Sequence, residues 1–146
     1  MGCAISRGSM SVPGGMIRRT KHFCVHQDPL IPLPGFLVIA SLRHIRSISE
    51  MQVDEYAEFA TVVKSTHEAI KEATGIEHLT LVQEEISKHF HLWFFPWTEN
   101  VIKQYGPPSL TKIREIMLAY RQHVIGELEW VELKKSIEKI KAIPTK

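Results

Sequence analysis

The residues best placed to do chemistry are the two histidines of His89-Phe90-His91-Leu92-Trp93-Phe94-Phe95-Pro96. They lie two positions apart in an apolar, aromatic run. An extended strand alternates its side chains between faces. His89, His91, Trp93 and Phe95 therefore share one face, and Phe90, Leu92 and Phe94 take the other. The second set reads as core. The first presents two imidazoles roughly 7 Å apart along the strand. Burying unpaired polar rings is costly, so two titratable rings at successive same-face positions point to a nucleophile or a ligand rather than to packing. The plainer alternative is a half-buried strand with two partly exposed histidines.

Other elements must hold that strand. Residues 1–15 are rich in Gly, Ser and Pro and read as irregular. Met16–Arg19 and His22–His26 read as short strands, and the prolines of 28–35 exclude regular structure there. Phe36-Leu37-Val38-Ile39-Ala40-Ser41 is a continuous apolar strand that leads into Arg43 and His44. Tyr56, Phe59, Ala60, Val63, His67 and Ile70 recur at helical spacing, which predicts one long helix over Gln52–Thr74 with Gly75 as its stop. Leu79–Gln83 is a further strand. Gly106-Pro107-Pro108 breaks the chain, and Ser109 is expected to cap a helix over Leu110–Gln122. A last helix covers Leu128–Ile143, before Pro144. Leu110, Ile113, Ile116, Met117 and Tyr120 form one apolar stripe, and Leu128, Val131, Leu133, Ile137 and Ile140 add more surface for packing. This order predicts an α+β fold with an antiparallel sheet, one long helix and C-terminal helices. Residues 1–146 are expected to form a single domain, with a core over about 16–105 and a helical extension over about 107–146.

Composition narrows the function. The chain is 44% hydrophobic and 23% charged, with a net charge of +2. No strong field draws it to nucleic acid or a membrane surface, and no apolar run approaches the ~20 residues that span a bilayer. Cys3 and Cys24 make neither a disulfide framework nor a Cys-x-x-Cys site, so a cytoplasmic, reducing setting is expected. His22, Cys24 and His26 share a face if their strand is regular, but a metal needs further ligands from elsewhere. No metal or cofactor is expected. Met1-Gly2-Cys3-Ala4-Ile5-Ser6 fits the short N-myristoylation pattern. There is no Gly-rich phosphate loop and no Gly-x-Ser-x-Gly elbow.

Two segments give the chain a family resemblance. Gly35-Phe36-Leu37-Val38-Ile39-Ala40-Ser41-Leu42-Arg43-His44 is similar, without a gap, to the Gly-His-x-Leu-Val-Ile-Pro-Lys-Arg-His strand of the histidine triad (HIT) superfamily. His89–Pro96 is similar to that superfamily's His-φ-His-φ-His-φ-φ-Pro signature, where φ is apolar. The helix between them has the matching length and position, and the likeness covers about residues 16–97. It implies a five-stranded antiparallel sheet, often dimerised, and a hydrolase or nucleotidyl transferase acting on a small nucleotide. By this resemblance His91 attacks the α-phosphate and carries a covalent nucleotidyl group, and His89 orients the site. Ser87, Lys88, Gln83, His44, Trp93 and Trp97 are the residues expected, from their own chemistry, to contact substrate.

The departures are specific. Trp93 stands where the third histidine assists the leaving group, and an indole N–H donates a hydrogen bond without shuttling a proton. Trp97 replaces an arginine, and Phe36 replaces a histidine. Gln83-Glu84-Glu85-Ile86-Ser87-Lys88 stands in place of a Gly-rich phosphate loop, with two glutamates where an anion is to bind. A nucleotide-binding module without efficient turnover is therefore the alternative to an enzyme.

Overall fold

The computed structural model describes residues 1–145. Five strands form one antiparallel sheet: β1 (Arg18–Arg19), β2 (Phe23–Gln27), β3 (Leu37–Ser41), β4 (Leu79–Gln83) and β5 (His91–Pro96), in the order β1-β2-β3-β5-β4. The helices are α1 (Gly2–Ser6), α2 (Val53–Thr74), α3 (Glu99–Tyr105), α4 (Ile113–Gln122) and α5 (Glu127–Ala142). The expected α+β fold, with about five strands and one long helix, is what forms. Among the described residues no helix is long and apolar enough to cross a membrane.

Period-two alternation divides the sheet into two faces. Phe23, Val25, Leu37, Ile39, Leu92 and Phe94 are buried on one face with Val62, Ala69 and Ile70 of α2 and Ile140 of α5. Phe90 joins them just before β5, its ring 5.4 Å from that of Phe59. On the other face Phe36 and Phe95 pack with Trp97, Val101, Ile113 and Ile116, under α3 and α4. Antiparallel register sets His91 opposite Ala40, and Ala40 opposite Cys24. The residue facing His91 is thus small, which leaves an open hollow at that end of the second face.

α2 is placed by one acid. Glu55 accepts from the Gln52 N–H at 2.8 Å, which satisfies one of the free donors at the helix start. It also accepts from both Nε and Nη2 of Arg43, at 2.8 and 2.7 Å. Arg43 follows β3, so this pair ties the helix to the strand that backs His91. The Arg43 hydrogen bonds hold the Glu55 carboxyl down at about 2. Gly75 ends the helix with φ of 71°, the left-handed conformation that glycine adopts at least cost.

Several expectations need correction. Residues 1–15 are not wholly irregular, because Gly2–Ser6 forms α1 and buries Ile5. His89 and Phe90 lie just before the ladder of β5 rather than within it. The buried face of α2 is turned from the expected stripe: Tyr56 and Ala60 face solvent, while Val62, Thr66 and Ala69 are buried. Glu55, drawn inward by Arg43, takes the position that an apolar pattern assigns elsewhere. The Ser109 hydroxyl bonds Thr111 instead of capping, and a 3-10 turn at Leu110–Lys112 precedes α4. Leu110, Leu128 and Val131 are exposed, whereas Ile113, Ile116, Leu133, Ile137 and Ile140 are buried. α3 had no recognised periodicity; Thr98 caps it by accepting from the Val101 N–H.

Glu55→Gln should cost about 2 kcal/mol of stability near neutral pH, the scale of charge-assisted hydrogen bonds, with Arg43 partly in water. A carboxyl with a depressed pKa stabilises above its unfolded value of 4.5 and loses that contribution as pH falls towards 2. Urea unfolding of both forms across this window should show the wild type losing its advantage. A constant difference between them would refute the assignment.

Candidate functional site

The hollow beside His91 is a cavity of about 510 Å³, lined by residues that include His26, Asp28, His44, His89, His91 and Trp93. Its size suits a small ligand. The floor is the second face of β2, β3 and β5, where Val38 and Ala40 keep the centre low. One wall is the residue 87–89 turn, and another is the N-terminal segment, through Met1, Gly2, Cys3 and Ile5.

The two histidines are fixed differently. His91 Nδ1 lies 2.9 Å from the His89 carbonyl oxygen, which can only accept, so Nδ1 carries the proton. Nε2 is then the unprotonated nitrogen, with its lone pair free for chemistry. Ser87 stiffens the turn that supplies this carbonyl. Its hydroxyl donates to the His89 carbonyl at 2.6 Å, accepts from the His89 N–H at 3.1 Å and lies 3.3 Å from His91 Nδ1. These bonds engage the Ser87 hydroxyl within the turn while the residue lines the cavity.

His89 has the opposite tautomer. Its Nε2 lies 2.6 Å from the Ser41 carbonyl oxygen and donates to it, which leaves Nδ1 unprotonated and 3.0 Å from Cys3 Sγ. His89 is 6% exposed, and burial, followed by the nearby imidazoles, pushes its pKa down. His26, 2% exposed, is pushed down by burial too, and its Nδ1–H donates to the Gln27 carbonyl. Burial pushes Asp28 up, while the Leu30 and Ile31 N–H groups donating to its Oδ1 oppose the shift.

Of the residues expected from sequence, His44, Ser87, Lys88, His89, His91 and Trp93 line this cavity. Gln83 and Trp97 do not. Trp97 is 3% exposed, donates from Nε1 to Thr80 Oγ1 at 2.9 Å and packs on Phe95. It borders a second, larger hollow of about 850 Å³ between α2, α3 and α5, away from His89 and His91. The Gln83 amide nitrogen is buried without a hydrogen-bond partner. Trp93 stands over the site, its ring 5.1 Å from His91 and 6.3 Å from Phe36. Glu84 and Glu85 are outside the lining, and Glu85 accepts from Ser47. These two glutamates thus do not line the cavity.

Sequence reasoning missed Cys3, His26 and Asp28 as lining residues. Asp28 opens the proline-rich segment, where an aspartate accepting from following backbone N–H groups was a readable turn signal. Cys3 had no signal, since it meets His89 across 86 positions. His22, grouped with Cys24 and His26 by alternation, turns instead to Asp54 of α2 at 3.0 Å. The group of ligand atoms that does converge is Cys3, His44 and His89.

No protein-family model matches this chain, and no curated protein matches its sequence. Solved structures do match in shape. A HIT-like protein from Bartonella henselae, described as involved in cell-cycle regulation, is 15% identical with a TM-score of 0.66, covering 95% of this chain and 91% of that one. A hypothetical histidine triad nucleotide-binding protein from Sulfolobus tokodaii is 20% identical with a TM-score of 0.66, covering 95% and 90%. A zinc-bound histidine triad family protein from Mycobacterium smegmatis is 16% identical with a TM-score of 0.58, covering 82% and 90%. At these identities the likeness is one of fold. The chain has the histidine triad fold.

The lowered His26 and His89 values have a sign that can be measured. The unfolded chain takes up these protons first, near 6.5, so the folded state loses stability as pH drops below that value. Asp28 acts in the opposite sense from 3.8 upward. Between about pH 5 and 6.5 the wild type should gain stability with pH more steeply than His26→Gln. Equal slopes would contradict a neutral buried His26.

Proposed function

We propose that this protein is a nucleotide hydrolase or nucleotidyl transferase of the histidine triad kind. It acts on the α-phosphate of a nucleotide ester, anhydride or phosphoramidate. The observation that carries the reading is the hydrogen bond of His91, which lines the cavity: Nδ1–H is held by the His89 carbonyl, and in the neutral ring this leaves Nε2 as the nucleophile. In the first step Nε2 attacks phosphorus, the P–N bond forms and the bond to the leaving group breaks. In the second, water or another acceptor attacks, the P–N bond breaks and His91 is regenerated. As His91 becomes cationic in the intermediate, the carbonyl that accepts from Nδ1–H stabilises it.

His89 is a positioning residue in this scheme. Its carbonyl orients His91, and its ring holds the 87–89 turn against the Ser41 carbonyl. Lys88, on the cavity wall and exposed, supplies a cation for the phosphate. Trp93 offers an indole face to a base and its N–H to the ligand. It supplies no proton at neutral pH, so the reading favours substrates whose leaving group departs without protonation.

The same Trp93 supports a second reading, a nucleotide-binding module that turns over slowly or not at all. Mass spectrometry of the protein quenched with a panel of nucleotide esters and phosphoramidates separates the two. The enzyme reading requires a nucleotidyl adduct at His91. A folded protein that binds nucleotide but yields no adduct and no turnover would transfer the case to the binding module.

His91→Ala should abolish turnover. Trp93→His should raise the rate on poor leaving groups by about 100-fold or more, the lower range of general acid catalysis. It should leave activated esters such as p-nitrophenyl nucleotides nearly unchanged. Equal effects on both substrate types would show that proton donation is not what separates them.

A further inference from the structure

β2, β3 and β5 set three side chains in one row beneath the cavity. His26 pairs across to Val38, and Val38 to Trp93. All three line the cavity. Neighbouring strands lie roughly 4.8 Å apart, so His26 and Trp93 stand at opposite ends of a floor with a short valine between them. From this arrangement we propose that His26 reads the base of the nucleotide: its Nε2 accepts a hydrogen bond from the amino group of a nucleobase that lies over Val38. The proposal rests on the nucleotide reading of His91 and names the part of the substrate that the cavity selects.

The tautomer of His26 is the first argument. Nδ1 lies 2.8 Å from the Gln27 carbonyl oxygen, which can only accept, so Nδ1 carries the proton. In the neutral ring Nε2 is then an acceptor and nothing else. It has no hydrogen-bond partner among the described residues, yet it is not sealed off in the way that the unpartnered Gln27 Oε1 and Thr66 Oγ1 are. The side chain is 2% exposed and lines the cavity, so a ligand there is the natural donor to it. Burial pushes its pKa down; the Gln27 bond opposes the shift and the His91 charge adds to it. The ring therefore stays neutral while His91 turns cationic in the covalent intermediate, and Nε2 remains an acceptor throughout.

Contrast with the surroundings is the second. Pro29, Leu30, Val38 and Ala40 give this end of the cavity an apolar lining. Such pockets fix their ligand through a small number of placed polar groups. Apolar walls and an indole cover the flat face of any base and do not tell one from another. A bare acceptor does. Adenine, guanine and cytosine carry an amino donor that projects beyond the ring, and uracil does not. A site that takes a hydrogen bond from a substrate N–H discriminates against the analogue without it, because its own polar group is then left unpaired.

Reach is the third. His91 lies opposite Ala40, Ala40 lies opposite Cys24, and His26 is the next residue on the same face of β2. Two strand spacings and one same-face step separate the backbones of the two histidines by roughly 12 Å. Phosphorus at His91 and the base edge at His26 suit the two ends of a single nucleotide.

The test compares substrates that differ by the amino group alone. The p-nitrophenyl 5′-phosphates of adenosine and purine riboside, of guanosine and inosine, and of cytidine and pyrimidin-2-one riboside form such pairs. Their leaving group needs no proton, so Trp93 does not limit them. In the wild type kcat/KM should favour the amino member of at least one pair by about 10-fold, the scale of one neutral hydrogen bond. In His26→Phe and in the smaller His26→Leu, which lack the acceptor, that preference should vanish. Each ratio is taken within one variant, so a general change in activity or stability cancels. No preference in any pair for the wild type would overturn the proposal, as would a preference that survives both substitutions. A His26-dependent preference seen only between ribose and 2′- or 3′-deoxyribose substrates would place the contact on the sugar and overturn it too. Dissociation constants of the corresponding 5′-monophosphates give the same ratios without turnover. A His26-dependent ratio of these constants with no adduct at His91 would refute the catalytic reading alone. An adduct with no such ratio would refute base reading by His26 alone, and a folded wild type that binds no nucleotide would refute both.

Discussion

The His89 carbonyl oxygen is the group on which the site depends. It accepts from His91 Nδ1 and from Ser87 Oγ at once. Through the first bond it selects which nitrogen of His91 is free. Through the second it fixes the turn that aims the ring. This carbonyl is available because β5 begins only at His91, so the preceding two residues are not committed to a full ladder. Phe90 still anchors them: its N–H donates to Ile45 O at 2.7 Å, and its carbonyl accepts from the Ser41 N–H at 3.3 Å. The site is thus built where regular pairing starts, not in its middle.

This placement also explains the roles of the long helix and of Arg43. β3 and β5 are far apart in sequence, and the 22 residues of α2 lie within the connection. A helix forms by local bonds and shortens the effective loop before the strands meet. Arg43, just beyond β3, grips Glu55 in the first turn of α2. The same strand end therefore supplies the Ser41 carbonyl for His89 and the guanidinium for the helix.

Much of this was legible in the sequence because it is periodic. The unbroken apolar run of Phe36–Ser41 marked a strand buried on both faces, and alternation in His89–Pro96 assigned Phe90, Leu92 and Phe94 to the face under α2. Gly75 marked the helix end. What could not be read was contact between remote segments. No local pattern says that Cys3 meets His89, that Arg43 draws Glu55 inward, or that Trp97 turns to Thr80 instead of to the cavity. Short helices such as α1 and α3 escape periodicity because they contain too few turns to display a stripe. The exposed Leu110, Leu128 and Val131 show the converse limit, since apolar residues at helical spacing are not always covered.

The shortness of α1 has a consequence for the time behaviour of the protein. Proteins open in parts, and a segment held by few buried side chains opens at far lower free energy than the whole. α1 buries Ile5 and Ser6, while the sheet behind it is buried throughout β2 and β3. One wall of the cavity can therefore detach and return many times while the floor, and the carbonyl that sets His91, stay in place. Entry and exit of a ligand are then governed by the fraying of this five-residue helix, on a clock separate from that of global unfolding.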